Sequence, residues 1–564
     1  MRDRRSLILI PLAAFLAVLP LIVQGVSYGH DFEFHFRNWL EVSSQWKQGV
    51  LFPHWEFTAA WNSGEPRFIF YPPLSWTIGA ALGLFLPWIA VPTTFVWLAL
   101  TASGFSMHRL AREWTTSGNA VIAACFYMVH PYTLFNFYER SAYAELLAAA
   151  WIPLLLLGIL RPRLTIAGIA VPICLLWLTN DPAAVIGCYS FALLALIRVV
   201  VSYRVGQGLR HCFKEAAKIC AGTILGIGLA GFYIVPAAVE RRWVDINMPF
   251  MRGVRYQDNF AFGYIGDLSH DAILRSVSLC GIALLVMSVV FVLISLLVGK
   301  GDEKSAPAEH HGVPIGGVLG ALSLLSCAGV FMLTAPSSFV WSRLPELKYL
   351  QFPWRFCTIL GATTATLSAL AIRRIRLYPS VTAMTALALV IAFSLGGDHF
   401  FRQPYHWSFA TPGILHDFYY GGRYDATDEY TPASADPLAL ARANPVFWID
   451  ANPTAAAAQT GAGYSTALAQ RLHFNVSSDN PGFVILNLRD YPAWRISVNG
   501  SPIGIRPHRK DGLITVPIRS GNSEIDIEYA HTLDQTAGWI VSALSAILLL
   551  AIRWKRERAA SFIA

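Results

Sequence analysis

The sequence predicts a polytopic α-helical membrane protein, with about 12 crossings and an extracytoplasmic β-sandwich-like domain just before the last transmembrane helix. Three observations predict it. First, 55% of the 564 residues are hydrophobic and only 14% are charged, against about 25% charge in soluble domains. Second, apolar runs of spanning length recur along the chain. Third, the basic residues sit in short clusters between those runs, as cytoplasmic loops require. The net charge of +8 therefore reflects membrane topology and not nucleic-acid binding, which would need one basic face.

The chain begins Arg2-Asp3-Arg4-Arg5, then turns apolar from Leu7 to Val23. The run is long enough to span, and Gln24-Gly25-Val26-Ser27 is a poor cleavage site. This reads as an uncleaved signal anchor with a cytoplasmic N-terminus. Further candidate spans are 72–88, 91–108, 118–133, 142–160, 164–180, 183–201, 216–236, 272–298, 314–334, 355–372, 378–396 and 536–553. Basic clusters at Arg109 and Arg112, Arg161 to Arg163, Arg204 to Lys214, Lys300 to Lys304, Arg373 to Arg376 and Arg553 to Arg558 mark the cytoplasmic side. Residue 26 outside and Arg109 inside demand an odd number of crossings between them. Pro72, Pro73, Pro87 and Pro92 break the two runs there. The expectation is that 73–86 lies along or dips into the outer face and that only 91–110 crosses; the alternative is that both runs cross and one later basic cluster breaks the positive-inside rule. Both termini are then cytoplasmic.

The division expected is a transmembrane part over 1–396 with an outer loop 26–71, an extracytoplasmic part over 397–535, and a last helix with a basic tail over 536–564. The extracytoplasmic part alternates like strands at 471–476, 483–488, 494–498, 502–506, 513–518 and 524–529. Asn499-Gly500 is a strong hairpin turn. Residues 401–470 read as irregular. Trp407, Tyr419, Tyr420 and Trp448 are aromatics that bind sugar or, more commonly, pack. The eight cysteines avoid 26–70 and 397–535, so neither a disulfide framework nor a zinc spacing is indicated.

The most informative stretch is the first outer loop. Asp31 and Glu33 follow directly on the first span, among His30, Phe32, Phe34, His35 and Phe36. Such acids can serve as a general base, hold a divalent cation, or simply stay solvated. His30, His35 and His54 share the loop without a tight metal spacing. Gly461-Ala462-Gly463 lacks the strand and helix that a nucleotide loop needs. Asn180-Asp181-Pro182, at the outer end of a span, could join the site, but the favoured reading is an ordinary turn.

A carboxylate pair after the first span, then a Trp-rich loop ending Tyr71-Pro72-Pro73-Leu74, resembles the GT-C class of membrane glycosyltransferases. Within it the chain is similar to bacterial membrane proteins labelled 6-pyruvoyl-tetrahydropterin synthase-related. The similarity rests on Asp31 to Phe36, Trp61 to Leu74, Glu139 to Glu145, Tyr233 to Glu240, Gln351 to Phe356 and Asp490 to Trp494, where Ala493 stands in place of the usual glycine. It covers nearly the whole chain through short motifs.

The resemblance implies a GT-C-like fold in a bacterial inner membrane. It implies transfer of a sugar from a polyprenyl-phosphate-linked donor to a glycan, lipid or protein acceptor at the outer face. Asp31 would be the general base, with Glu33 supporting it or sharing a divalent cation. Arg140 and Arg355 would hold the donor phosphate, because Arg suits phosphate and is costly unpaired near a membrane. Glu145 and Glu240 would be supporting acids, pairing with these arginines or binding metal. For Arg140 and Arg355 the bland alternative is a snorkelling side chain, and for Glu139 and Glu240 a solvated loop end. A different functional class, a transporter or flippase for a lipid-linked glycan or polymer, predicts mid-span charges and paired broken helices; the sequence shows few of either.

Overall fold

The computed structural model describes residues 2–299, 315–406, 410–420, 428–440, 444–457 and 470–561. Trp407, the Gly461 to Gly463 stretch and the Lys300 to Lys304 cluster lie outside the described residues.

Among the described residues, nine helices are long and apolar enough to cross a membrane: Leu7–Gln24, Trp88–Ala111, Ser117–Arg140, Tyr143–Leu160, Asp181–Arg204, Leu268–Leu297, Ile315–Met332, Pro379–Phe401 and Leu533–Lys555. Leu209–Leu229 and Gly231–Trp243 add a tenth if the pair, bent by 73°, is one span. The chain is a multi-pass membrane protein. A helix occupies each of the twelve segments expected to cross. Two of them are short: Ile166–Trp177 has 12 residues and Cys357–Ala371 has 15. The second is buried along its whole length, so it threads the centre of the bundle. Pro73–Phe85 is a separate 13-residue helix, about 20 Å long against a hydrocarbon core of about 30 Å. Pro87 follows it, then a 3₁₀ turn and the crossing helix Val91–Ala111.

Among the described residues, seven strands form two antiparallel sheets. They are β1 (Phe447–Asp450), β2 (Arg471–Ser478), β3 (Gly482–Arg489), β4 (Trp494–Val498), β5 (Ser501–Pro502), β6 (Leu513–Ile518) and β7 (Gly521–Tyr529). One sheet runs β1-β3-β6 and the other β2-β7-β4-β5. Alternation places Val484, Leu486 and Leu488 of β3 and Ile525 and Ile527 of β7 in one apolar core, the inward faces of a sandwich. Asn499 and Gly500 both take positive φ, 50° and 73°, the backbone of a two-residue hairpin turn. Six strands stand where expected, although β5 shrinks to two residues, Pro502 having no N–H for the ladder. β1 is new, inside the stretch expected to be irregular. Its Trp448 lies under the Arg509 guanidinium, 5.6 Å from the ring centre, so it packs.

The first loop and the sandwich interlock. Helix Phe32–Lys47 leads into a loop whose Trp55 is fully buried among Tyr491, Trp494 and Tyr529, at ring separations of 5.7, 5.4 and 6.4 Å. Glu56 and Glu65 pair as an antiparallel bridge. Between them Ala60, Trp61 and Asn62 all take the left-handed conformation, a strained run for non-glycine residues. The Trp61 carbonyl accepts from Asn487 Nδ2 at 3.0 Å and the Ser63 carbonyl from the Arg489 N–H at 2.9 Å, so β3 holds the run in place.

Candidate active site

A cavity of about 680 Å³ opens at the sandwich end of the helical bundle, within the size range of small-molecule sites. The local chain geometry delivers its charged groups. Asp31 is the N-cap of helix Phe32–Lys47, but its side chain caps nothing, which leaves the carboxylate to the cavity wall. Arg140 ends a widened π-type turn, Asn136–Arg140, and Ser141 next to it is left-handed, with φ 54°. That break turns the chain between two long helices and sets Arg140 and Glu145 face to face. Widened turns of this kind recur at functional sites.

Four charges form one chain of contacts. Arg140 donates to Asp31 Oδ2 at 3.1 Å, to Glu145 Oε2 at 2.7 Å and to Asn136 Oδ1 at 3.2 Å. Glu145 also accepts from the Tyr132 hydroxyl at 2.5 Å, and its Oε2 lies 3.7 Å from Arg355 Nε. Arg355 donates from Nη1 to the Leu350 carbonyl at 2.9 Å, while its Nε has no hydrogen-bond partner. Arg140 commits its two Nη groups to protein partners, while the Nε of Arg140, like that of Arg355, is buried without a hydrogen-bond partner. Asp31 also sits 2.9 Å from His30 Nδ1. Burial pushes the Asp31 carboxyl up, but His30 and Arg140 together outweigh it and hold the group below the usual carboxylate range. Burial, with Arg140 nearby, lowers His35 to about 4, against the pull of Asp31, so this ring is neutral at physiological pH.

The remaining expected residues part company with this group. Glu33 does not line the cavity; it accepts from Arg37 at 2.8 Å. Two residues apart on a helix point to different faces, so Asp31 and Glu33 do not form the shared cation site expected of them. Glu240 pairs with neither arginine. It is fully buried and accepts from Tyr491 at 2.7 Å, Gln535 at 3.0 Å and Thr532 at 3.2 Å, tying the bent helix to the sandwich and the last helix. His54 stacks on Tyr529 at 5.7 Å, away from His30 and His35. Among the described residues, one group of three puts metal-ligating atoms within 4.8 Å of one another: exposed His473, Glu524 and Asp526 on β2 and β7.

No family model and no curated protein matches the chain. Among solved structures, the arabinofuranosyltransferase AftD from Mycobacteria is similar, with 16% identity, 70% of this chain covered and a TM-score of 0.41. So is the oligosaccharyltransferase AglB from Archaeoglobus fulgidus in complex with an inhibitory peptide and a dolichol-phosphate, with 15% identity, 76% of this chain covered and a TM-score of 0.31. The chain spans 27% of the length of the first and 61% of the second. At these scores the likeness assigns neither a family nor an activity.

The cavity also contains residues that the sequence favours as a turn or leaves unassigned. Asn180 caps helix Asp181–Arg204 by accepting from the Ala183 N–H at 3.0 Å, as the turn signal implied. The next residue, Asp181, faces the cavity with its Oδ2 2.5 Å from the Tyr233 hydroxyl. Glu429 and Tyr430 close the wall from a segment that the sequence left irregular. Burial raises the Glu429 carboxyl, with Arg355 partly opposing. An acid directly after an N-cap, at the start of a span, was the signal available for Asp181.

Proposed function

We propose that this chain is a membrane glycosyltransferase of GT-C type. It moves a sugar from a polyprenyl-phosphate-linked donor to an acceptor hydroxyl at the extracytoplasmic face of a bacterial inner membrane, with both termini in the cytoplasm. The observation that carries the reading is the placement of an ionised carboxylate, Asp31, and an arginine with free donors, Arg355, in one cavity at a helix-bundle end.

In this reading the acceptor oxygen bonds to the anomeric carbon as the bond from that carbon to the phosphate oxygen breaks. Asp31 takes the acceptor proton. A carboxylate this acidic stays ionised and accepts late, when bonding has made the acceptor oxygen acidic. The leaving phosphate gains charge, and Arg355 stabilises it. Arg140 holds Asp31 in place through Nη2, and with its own Nε unpaired it joins Arg355 in holding the phosphate.

The test is donor consumption by purified protein in nanodiscs, using a panel of radiolabelled polyprenyl-phosphoryl sugars. Wild type should consume a donor and Asp31→Asn should not, at equal expression. Unaltered turnover by the variant would sink the reading. One observation favours a second reading, a transporter of a lipid-linked glycan: the 73° break between Leu229 and Gly231, beside the cavity. Movement of lipid-linked substrate across the bilayer, with no donor consumed, would establish it.

A further inference from the structure

The same cavity has a second pole, built from Asp181, Tyr233, Glu429, Tyr430, Phe70 and Tyr71. Tyr71 and Asp31 line the same cavity, so an occupant of this pole shares that cavity with the proposed base.

The pole is organised around one carboxyl group. Asn180 fixes the backbone of Asp181 by capping its helix. The Tyr233 hydroxyl fixes the side chain, lying 2.5 Å from Asp181 Oδ2 and 2.7 Å from the Phe70 carbonyl. A tyrosine hydroxyl brings one proton. Two contacts to acceptor oxygens need two, so the second proton of this chain belongs to the Asp181 carboxyl. The other oxygen, Asp181 Oδ1, is buried with no hydrogen-bond partner. A buried acceptor left unpaired is costly, and a hydrogen-bond donor arriving in the cavity removes that cost. Glu429 offers further acceptor oxygens from a different segment. A phosphate or carboxylate would bring no proton to either group; a hydroxyl does.

The aromatic walls narrow the choice. Phe70 and Tyr430 stack with their planes 21° apart and centroids 6.3 Å apart, and Tyr71 is held edge-on to Phe34 at 4.9 Å. Aromatic side chains beside fixed hydroxyl acceptors suit a sugar, whose C–H groups pack on rings while its hydroxyls donate.

We infer that this pole is the acceptor subsite and that it takes an uncharged sugar residue, with Asp181 as the specificity-determining group and Tyr233 as its positioning residue. The word "acceptor" rests on the transferase reading; the sugar site itself does not.

The experiment uses full-length protein in phosphatidylcholine nanodiscs and three trisaccharide probes: neutral maltotriose, anionic trigalacturonate and the cationic glucosamine trimer. Binding is read by thermophoresis. Maltotriose should bind saturably and trigalacturonate at least about tenfold more weakly. Asp181→Ala should weaken maltotriose about tenfold, the loss of one buried hydrogen-bonding partner. Tyr233→Phe keeps the carboxyl but frees it, and should erode the preference for the neutral probe while the melting temperature holds. Glu429→Gln, on a separate segment, serves if Asp181→Ala fails to fold. Equal binding of trigalacturonate, tighter binding of the glucosamine trimer, no saturable maltotriose binding, or indifference to Asp181→Ala and Glu429→Gln would each overturn the inference. Asp31→Asn separates the two readings: if it leaves donor turnover intact while maltotriose still binds at Asp181, the transferase reading falls and the sugar site stands.

Discussion

Asp31 and Arg140 hold each other twice. The Asp31 N–H donates to the Arg140 carbonyl at 2.9 Å, and the Arg140 guanidinium returns to the Asp31 carboxylate at 3.1 Å. The first contact fixes where helix Phe32–Lys47 begins, and the second fixes where its leading carboxylate points. Two segments more than a hundred residues apart are locked into one unit.

The pairing has a pH signature. The Asp31 carboxyl is held below its ordinary value of about 3.9, so its ion pair stabilises the fold above that pH and is lost as pH falls toward the lowered value. Wild-type activity should show no acid limb from this group down to about pH 5. Arg140→Gln removes a lowering charge while burial still raises the group, so an acid limb should move up into the measurable range. A pH–rate profile of donor turnover checks this; identical profiles would place the control of Asp31 elsewhere.

Gly29 sits where the two segments touch. A Cβ there would lie 2.4 Å from both the Arg140 carbonyl carbon and the Glu139 carbonyl oxygen, and backbone atoms cannot swing aside. Gly29→Ala should displace Asp31 from Arg140. A misplacement of about 1 Å can cost about a hundredfold in rate, and the expected loss of turnover is of that order. Assay at matched nanodisc loading reads it directly.

Glu41 gives a stability prediction with the opposite sign. Burial and the neighbouring Glu56 raise its carboxyl to about 8. The folded state therefore keeps a proton that the unfolded chain releases near pH 4.3, so stability falls as pH rises from about 4 to about 8. Glu41→Gln carries its neutral form permanently. Its melting temperature should vary less between about pH 5 and pH 8 than that of wild type, by intrinsic tryptophan fluorescence. An unchanged slope would show that Glu41 is ionised in the fold.

Glu240 is a structural joint. Glu240→Ala strands Tyr491 and Gln535 and should cost about 2–3 kcal/mol. The expected readout is earlier protease cleavage around the sandwich, together with a lower melting temperature.

The membrane bundle and most strands were legible because apolar run length and strict alternation are local signals. Asp31, Arg140, Glu145 and Arg355 were named from short motifs, and the structure gathers all four in one cavity. What misled was local geometry that spacing does not encode. Glu33 looked like a partner for Asp31 until the helix began at Phe32 and turned it toward Arg37. Glu240 carries no sign that Tyr491, in the connection between β3 and β4, returns to bury it. For Asp181 the turn outweighs the site in the sequence, because a cap and a cavity wall use the same residues. β1 was missed because four residues give too short an alternation to count.

Trp55 carries a consequence for biosynthesis. Its burial partners Tyr491, Trp494 and Tyr529 leave the ribosome more than four hundred residues later. Until then the loop after helix Phe32–Lys47 lacks the surface that buries its tryptophan, while the spans around it are already inserted. Contacts of such sequence separation form slowly. Assembly must therefore close from the last strand back onto the first loop, and a nascent chain cut short anywhere before β7 would leave Trp55 without its full burial.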